Sequence, residues 1–277
     1  MIEKRQNSIS IIGCGWLGLP LGKKLVALGW QVKGSTTRAE KLDTLKQNGI
    51  KPFLLSAPQD VIIENELFNV DFLVLNIPPG RKDPNVLDTY PALIKRILDI
   101  VKDIDAIKKL IFVSSTSVYG NDEDFIDENT VCKPKSNSGK AVFEAENVIL
   151  KSGVTFIILR FGGLAGPSRH PGRFFAGQKE LEIGSQSVNF LHLEDAINII
   201  YYMITHSVEN ETFNVVAPIH PDKNEFYSMM TSSIGLEPPT FVKGADVKKR
   251  EISVVKLLNT TDFKFKYPDP MKFTFFL

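Results

Sequence analysis

The chain of 277 residues is poor in several things, and each shortage excludes a class of protein. Its two cysteines, Cys14 and Cys132, form no C-x-x-C pair and are too few for a disulfide framework. Lys and Arg number 33 against 32 Asp and Glu, a net charge of +1. Without an excess of either sign, no overall field draws the chain to nucleic acid or to an anionic membrane. No apolar run nears the ~20 residues of a membrane span, and the polar opening MIEKRQNS does not read as a secretory signal. A cytoplasmic location is expected. The four histidines, His170, His192, His206 and His220, share no ligand spacing, so no metal is expected. Repeats, low-complexity tracts and long linkers are absent.

What remains is an ordinary globular composition, 43% hydrophobic and 23% charged. Strand-like and helix-like patterns alternate. SISIIG (8–13), WQVKGS (30–35), KPFLL (51–55), VDFLVLNIPP (70–79), KKLIFVSS (108–115) and VTFIILR (154–160) read as strands. Between them fall helical stretches. The first, 17–29, carries Leu17, Leu21, Leu25 and Leu28 and ends at Gly29; the second, RAEKLDTLKQNG, also stops at glycine. A long amphipathic helix covers 85–104, where Pro91 either kinks it or marks its start, and another follows over 139–153. Continuous apolar strands alternating with helices imply a parallel sheet covered on both faces, an α/β doubly wound Rossmann core. The expected division is a nucleotide-binding core over 1–165, then the rest of the core and a small C-terminal lobe over 166–277. In such a sheet, ligands bind beyond the carboxyl ends of the strands.

Beyond the first strand lies Gly13-x-Gly15-x-x-Gly18, with Trp16 and Leu17 between the last two glycines. A strand, this spacing and a helix together mark a dinucleotide site. The glycines permit a tight turn, close approach to pyrophosphate, and helix–strand packing. Cys14, inside the loop, reads as a small packing residue rather than a reactive thiol. The second strand ends in Ser35, Thr36, Thr37 and Arg38 without the carboxylate that would hold an unphosphorylated ribose. Hydroxyls and an arginine suit a 2′-phosphate, so NADP is preferred over NAD.

Three later stretches complete a pattern: SSTSVYG (114–120), RFGGLAGPSR (160–169) and VNFLHLEDA (188–196). With the glycine loop, the chain resembles the extended branch of the short-chain dehydrogenase/reductases, the NAD-dependent epimerase/dehydratase family, in an atypical form. The resemblance implies a small-molecule substrate, with nucleotide sugars the best-known case, and a homodimer built on the helix over 85–104 and the one after Lys140. It implies that Ser115, with Thr116 beside it, orients a substrate hydroxyl or carbonyl. Asn76, Ile77 and Pro78 would pass under the cofactor. Tyr119, Arg160 and Gly163, with the cationic Arg169 and Arg173, would lie at the substrate. His192 and Asp195 match an H-x-x-D pair whose histidine is expected to be structural.

The family's catalytic Tyr-x-x-x-Lys is incomplete. Lys140 matches the lysine, a ligand of the nicotinamide ribose, with Glu144 four residues on; counting back four gives Ser136 instead of tyrosine. A serine hydroxyl is a far weaker acid than a phenol. Two readings stay open: an NAD(P)-dependent enzyme without the usual acid, or a non-catalytic NADP-binding redox sensor or scaffold. The alternative to catalysis at KPKSNSGK is a surface loop with Ser138 capping the next helix. The opening IGCGWLGLPLGKKL is also similar to β-hydroxyacid dehydrogenases and imine reductases, but SSTSVYG does not fit them. The alternating FKFKYPDPMKFTFFL suggests an edge strand or a docking tail.

Overall fold

The computed structural model describes residues 6–55, 64–80 and 83–275. Its centre is a seven-stranded sheet in the order β10-β7-β5-β4-β1-β2-β3. The strands are β1 (Ser8–Ile12), β2 (Gln31–Thr36), β3 (Lys51–Leu54), β4 (Phe72–Leu75), β5 (Lys109–Ser115), β7 (Phe156–Phe161) and β10 (Glu211–Val215). From β1 the chain winds outward through β2 and β3, then returns to β4 on the other side; these strands and β5 pair in parallel. The order reverses between β1 and β4, the switch point where a doubly wound sheet opens a crevice. Every residue of β7 is buried, as a strand covered on both faces requires.

The helices follow the periodic stretches with local corrections. α1 (Gly18–Ala27) buries Leu21 and Leu25, but Leu28 lies past the helix end and is exposed. Gly29, with φ +82°, makes the stop. RAEKLDTLKQNG splits into a 3-10 turn and α2 (Leu42–Gln47). α3 (Val86–Ile104) starts beyond Asn85 and runs through Pro91. α4 is Asn137–Leu150, α5 Leu193–Thr205, α6 Lys223–Ser232 and α7 Val255–Thr260.

The chain divides into two compact units. Unit 1 comprises Met1–Val118, Pro134–Leu159 and Ile200–Thr212; unit 2 comprises Tyr119–Lys133, Arg160–Ile199 and Phe213–Leu277. Unit 2 holds short pairs absent from the sequence reading: β6 (Phe125–Ile126) with β11 (Glu251–Ile252), and β8 (Gly163–Ala165) with β9 (Phe190–His192). Its aromatic core gathers Phe190, Phe226, Tyr227, Met230 and Phe273. Phe273 and Phe275 belong to the phenylalanine-rich tail, which docks on this core rather than forming a strand. Among the described residues, no helix is long and apolar enough to cross a membrane.

Candidate functional site

In unit 1 the loop between β1 and α1 is built by its neighbours. Gly13 has φ +105°, and a Cβ there would lie 2.4 Å from the Asn76 carbonyl oxygen. A Cβ on Gly18 would meet the Gly13 carbonyl oxygen at 2.3 Å. Gly15 differs: it is exposed, and its Cβ would meet nothing within 4 Å. Two glycines are therefore demanded by the protein, and the third faces open space. No side chain caps Leu17 at the start of α1, and no acidic residue lies in its first turn. The helix N-terminus keeps its partial positive charge for an anion. These features fit a dinucleotide pyrophosphate, which would rest on backbone at Gly15 through Gly18. Leu17 is buried in the packing beneath, and Trp16 is half-buried.

The residues around the loop divide into those that hold it and those that face outward. Ser35 was expected at a 2′-phosphate; it is buried, and its Oγ accepts the Gly13 N–H (3.1 Å). Thr36 Oγ1 accepts the Arg38 N–H (3.2 Å). Thr37 and Arg38 are the exposed members of the set. Asn76 Nδ2 donates to the Gly13 carbonyl (3.0 Å), so its amide clamps the loop. The Tyr90 hydroxyl donates to the Ile77 carbonyl (2.8 Å), tying α3 to the segment that ends at exposed Pro78. Burial pushes the Cys14 thiol up to about 12, as befits a packing residue.

Beyond β5, Ser115 Oγ accepts the Ser117 N–H (3.1 Å), which leaves its own proton available. Thr116 is buried. The start of α4 packs tightly here, since a Cβ on Gly139 would lie 2.7 Å from the Ser117 carbonyl oxygen. Ser136, not Ser138, is the cap: its Oγ accepts the Gly139 N–H (3.0 Å). Lys140 is exposed. Ser136 thus serves the backbone, and the helix does not bring it onto one buried face with Lys140. Glu144 is exposed and receives a weak bond from Asn147 (3.4 Å). The sequence reading missed Glu146, which is fully buried and accepts the Ser114 Oγ–H (2.5 Å). Its signal was its place in the apolar stripe Val142–Ala145–Ile149. Glu146 pins the buried face of α4, with Val142 one turn before it, to the end of β5.

Unit 2 holds the residues expected at the substrate, and several are engaged internally. Tyr119 and Arg160 are buried. Arg160 Nη1 donates to the Tyr119 hydroxyl (2.7 Å), which donates to Asn214 Oδ1 (2.8 Å). Burial, opposed by the Arg160 charge, pushes the phenol up to about 12, and its proton is engaged by Asn214. The Asn214 N–H donates to Glu128 Oε1 (2.7 Å), whose carboxyl is raised chiefly by burial. Asn214 Nδ2 is buried without a hydrogen-bond partner among the described residues. Gly163, Arg169 and Arg173 are exposed. His192 is buried; its Nδ1 accepts the Glu194 N–H (3.2 Å) and its Nε2 meets the Thr274 carbonyl (2.9 Å), a structural bridge to the tail. Asp195, in the first turn of α5, accepts the N–H groups of Lys266 and Tyr267 instead of capping its own helix.

A Rossmann sheet with this loop, and with SSTSVYG at the end of β5, defines an extended short-chain dehydrogenase/reductase. The sequence profile of the NAD-dependent epimerase/dehydratase family matches residues 85–216, and the chain belongs to that family. Among particular proteins, it is 37% identical to Protein YeeZ of Escherichia coli K12 over 271 residues, 96% of this chain and 98% of YeeZ. Solved structures share the fold. MoeE5 in complex with UDP-glucuronic acid and NAD superposes with a TM-score of 0.77 at 18% identity, covering 97% of both chains. The UDP-glucuronic acid 4-epimerase of Bacillus cereus in complex with NAD gives 0.77 at 18% identity, covering 96% of this chain and 97% of that one.

Proposed function

We propose that the chain is an NADP-dependent enzyme acting on a sugar nucleotide or another small polar substrate, without the family's catalytic tyrosine. The observation that carries this reading is the loop in which Gly13 and Gly18 are sterically required while Gly15 opens onto free space. The nicotinamide, when bound, supplies hydride chemistry. Thr37 and Arg38 are placed to meet a 2′-phosphate, while Ser35, Thr36 and Asn76 hold the loop's shape. Ser115 donates its free proton to a substrate oxygen and orients it. Ser136 and Lys140 stand where tyrosine and lysine act in relatives, and Ser136, whose hydroxyl caps α4, does not relay a proton as a phenol does. General acid/base help is worth about 10²–10⁴ in rate, so turnover is slow rather than absent. Arg160 and Tyr119 shape unit 2 from beneath, and exposed Arg169 and Arg173 meet an anionic substrate group. The MoeE5 complexes with UDP-glucuronic acid or UDP-glucose and NAD motivate the first substrates to try.

The test is absorbance of the reduced nicotinamide with UDP-glucose and UDP-glucuronic acid, in wild type and Ser115→Ala. Slow hydride transfer that Ser115→Ala abolishes is expected. The second reading, an NADP-binding redox sensor or scaffold, is favoured by Ser136, which stands in place of the tyrosine and spends its hydroxyl on capping α4. Tight NADP binding with no hydride transfer to any sugar nucleotide decides for it. A homodimer through α3 and α4 belongs to the same proposal, and light scattering reads it directly.

A further inference from the structure

Glu146 is a carboxyl group with no exposed surface, set in the apolar stripe of Ala141, Val142, Ala145 and Ile149. A leucine there would bury apolar surface without the cost of taking a polar group out of water. What the carboxyl adds is direction. Glu146 Oε1 accepts the Ser114 Oγ–H (2.5 Å), and a hydrogen bond fixes an angle that apolar packing does not. Ser114 is itself buried, one residue before the end of β5.

α4 holds the same stretch of chain a second time, three residues on. Gly139 packs so close to Ser117 that a Cβ on it would lie 2.7 Å from the Ser117 carbonyl oxygen. Gly139 and Glu146 are both buried and stand two helical turns apart, so they share one face of α4. That face grips the turn over 114–117 at both ends. Ser115 stands between the two grips, and its Oγ accepts the Ser117 N–H (3.1 Å). Successive residues of a strand point to opposite faces of the sheet. Ser114 is accordingly buried and Ser115 half-buried. Drawing Ser114 onto Glu146 therefore sets the direction in which the Ser115 side chain leaves β5.

We propose that Glu146 is a positioning residue: through Ser114 it aims the Ser115 hydroxyl, with Gly139 bracing the far end of the turn. The inference rests on the reading above for what Ser115 does once aimed, and not for the aiming itself. Its test is the double variant Ser114→Ala/Glu146→Leu of the full chain, beside Glu146→Gln. Replacing both partners of a buried hydrogen bond by apolar groups is close to neutral for folding, so the double variant is expected to melt near wild type. A pair that only stabilises would leave everything else in it unchanged; positioning predicts two losses. The exposed Ser117 amide, protected by Ser115 Oγ, is expected to exchange with deuterium about tenfold faster or more by NMR, while amides of β4 keep their rates. In the nicotinamide assay with UDP-glucose, kcat is expected to fall about tenfold to a hundredfold with KM little changed. Glu146→Gln keeps an acceptor in place and is expected to stay nearer to wild type than the double variant in both readouts. Wild-type exchange at Ser117 in the double variant overturns the proposal, as do an unchanged kcat, a Glu146→Gln that falls as far, or a double variant that melts well below wild type. Absence of turnover in wild type removes the role given to Ser115, and the exchange rates then decide the aiming by themselves.

Discussion

Gly13 and Gly15 stand two residues apart and carry opposite demands. An alanine at Gly13 puts its Cβ into the Asn76 carbonyl at an unfavourable φ, so Gly13→Ala is expected to cost about 2–4 kcal/mol of stability. Gly15→Ala meets nothing; thermal melts are expected to leave it near wild type while NADPH titration shows weakened binding. Equal destabilisation of both variants would refute this division of labour. Asp71 sets the acid limit. Burial alone would raise its carboxyl, but hydrogen bonds from the Ser8 hydroxyl, Lys108 and the Ser8 N–H outweigh it and hold the value at about 2. The folded pKa is thus depressed, so the stability it confers is full above about pH 4 and fades as pH falls toward 2. Integrated, this is about 2 kcal/mol. Asp71→Asn is expected to flatten the acid limb of stability against pH, measured by urea melts at several pH values.

At the scale of the element, the residues of α4 were legible and the burial of one of its two glutamates was not. A Tyr-x-x-x-Lys template fitted to a lysine gives Ser136 and Lys140. The fold adds a second, buried glutamate, Glu146, two residues beyond Glu144. A template aligned on charge alone cannot tell a buried glutamate from an exposed one; the apolar stripe around Glu146 could have. Glu146→Gln is expected to cost about 1–3 kcal/mol, through its bond with Ser114, and Glu144→Gln about nothing. Chemical denaturation of the two variants compares them. Ser136→Ala removes a cap and is expected to cost about 1 kcal/mol; a larger loss of activity than of stability in that variant would return Ser136 to the chemistry.

At the scale of the whole molecule, the sheet was legible because continuous apolar strands and glycine stops are local signals. The glycine loop was legible from its place after β1; the strand order that sets the switch point came only with the fold. Unit 2 was less legible. Its strands are two or three residues long, too short for a periodicity, and its pieces come from three separate stretches of chain. Tyr119 and Arg160 were named from the sequence, but their burial against each other and Asn214 depends on contacts 41 and 95 residues apart.

The central claim is that the loop after β1 holds a phosphorylated nicotinamide dinucleotide. Fluorescence titration of the full chain with NADPH and with NADH, in wild type, Gly15→Val and Arg38→Ala, tests it most directly. The account predicts saturable NADPH binding tighter than NADH, lost in Gly15→Val, with the preference alone lost in Arg38→Ala. Failure of wild type to bind either cofactor would contradict it, as would NADH binding more tightly than NADPH.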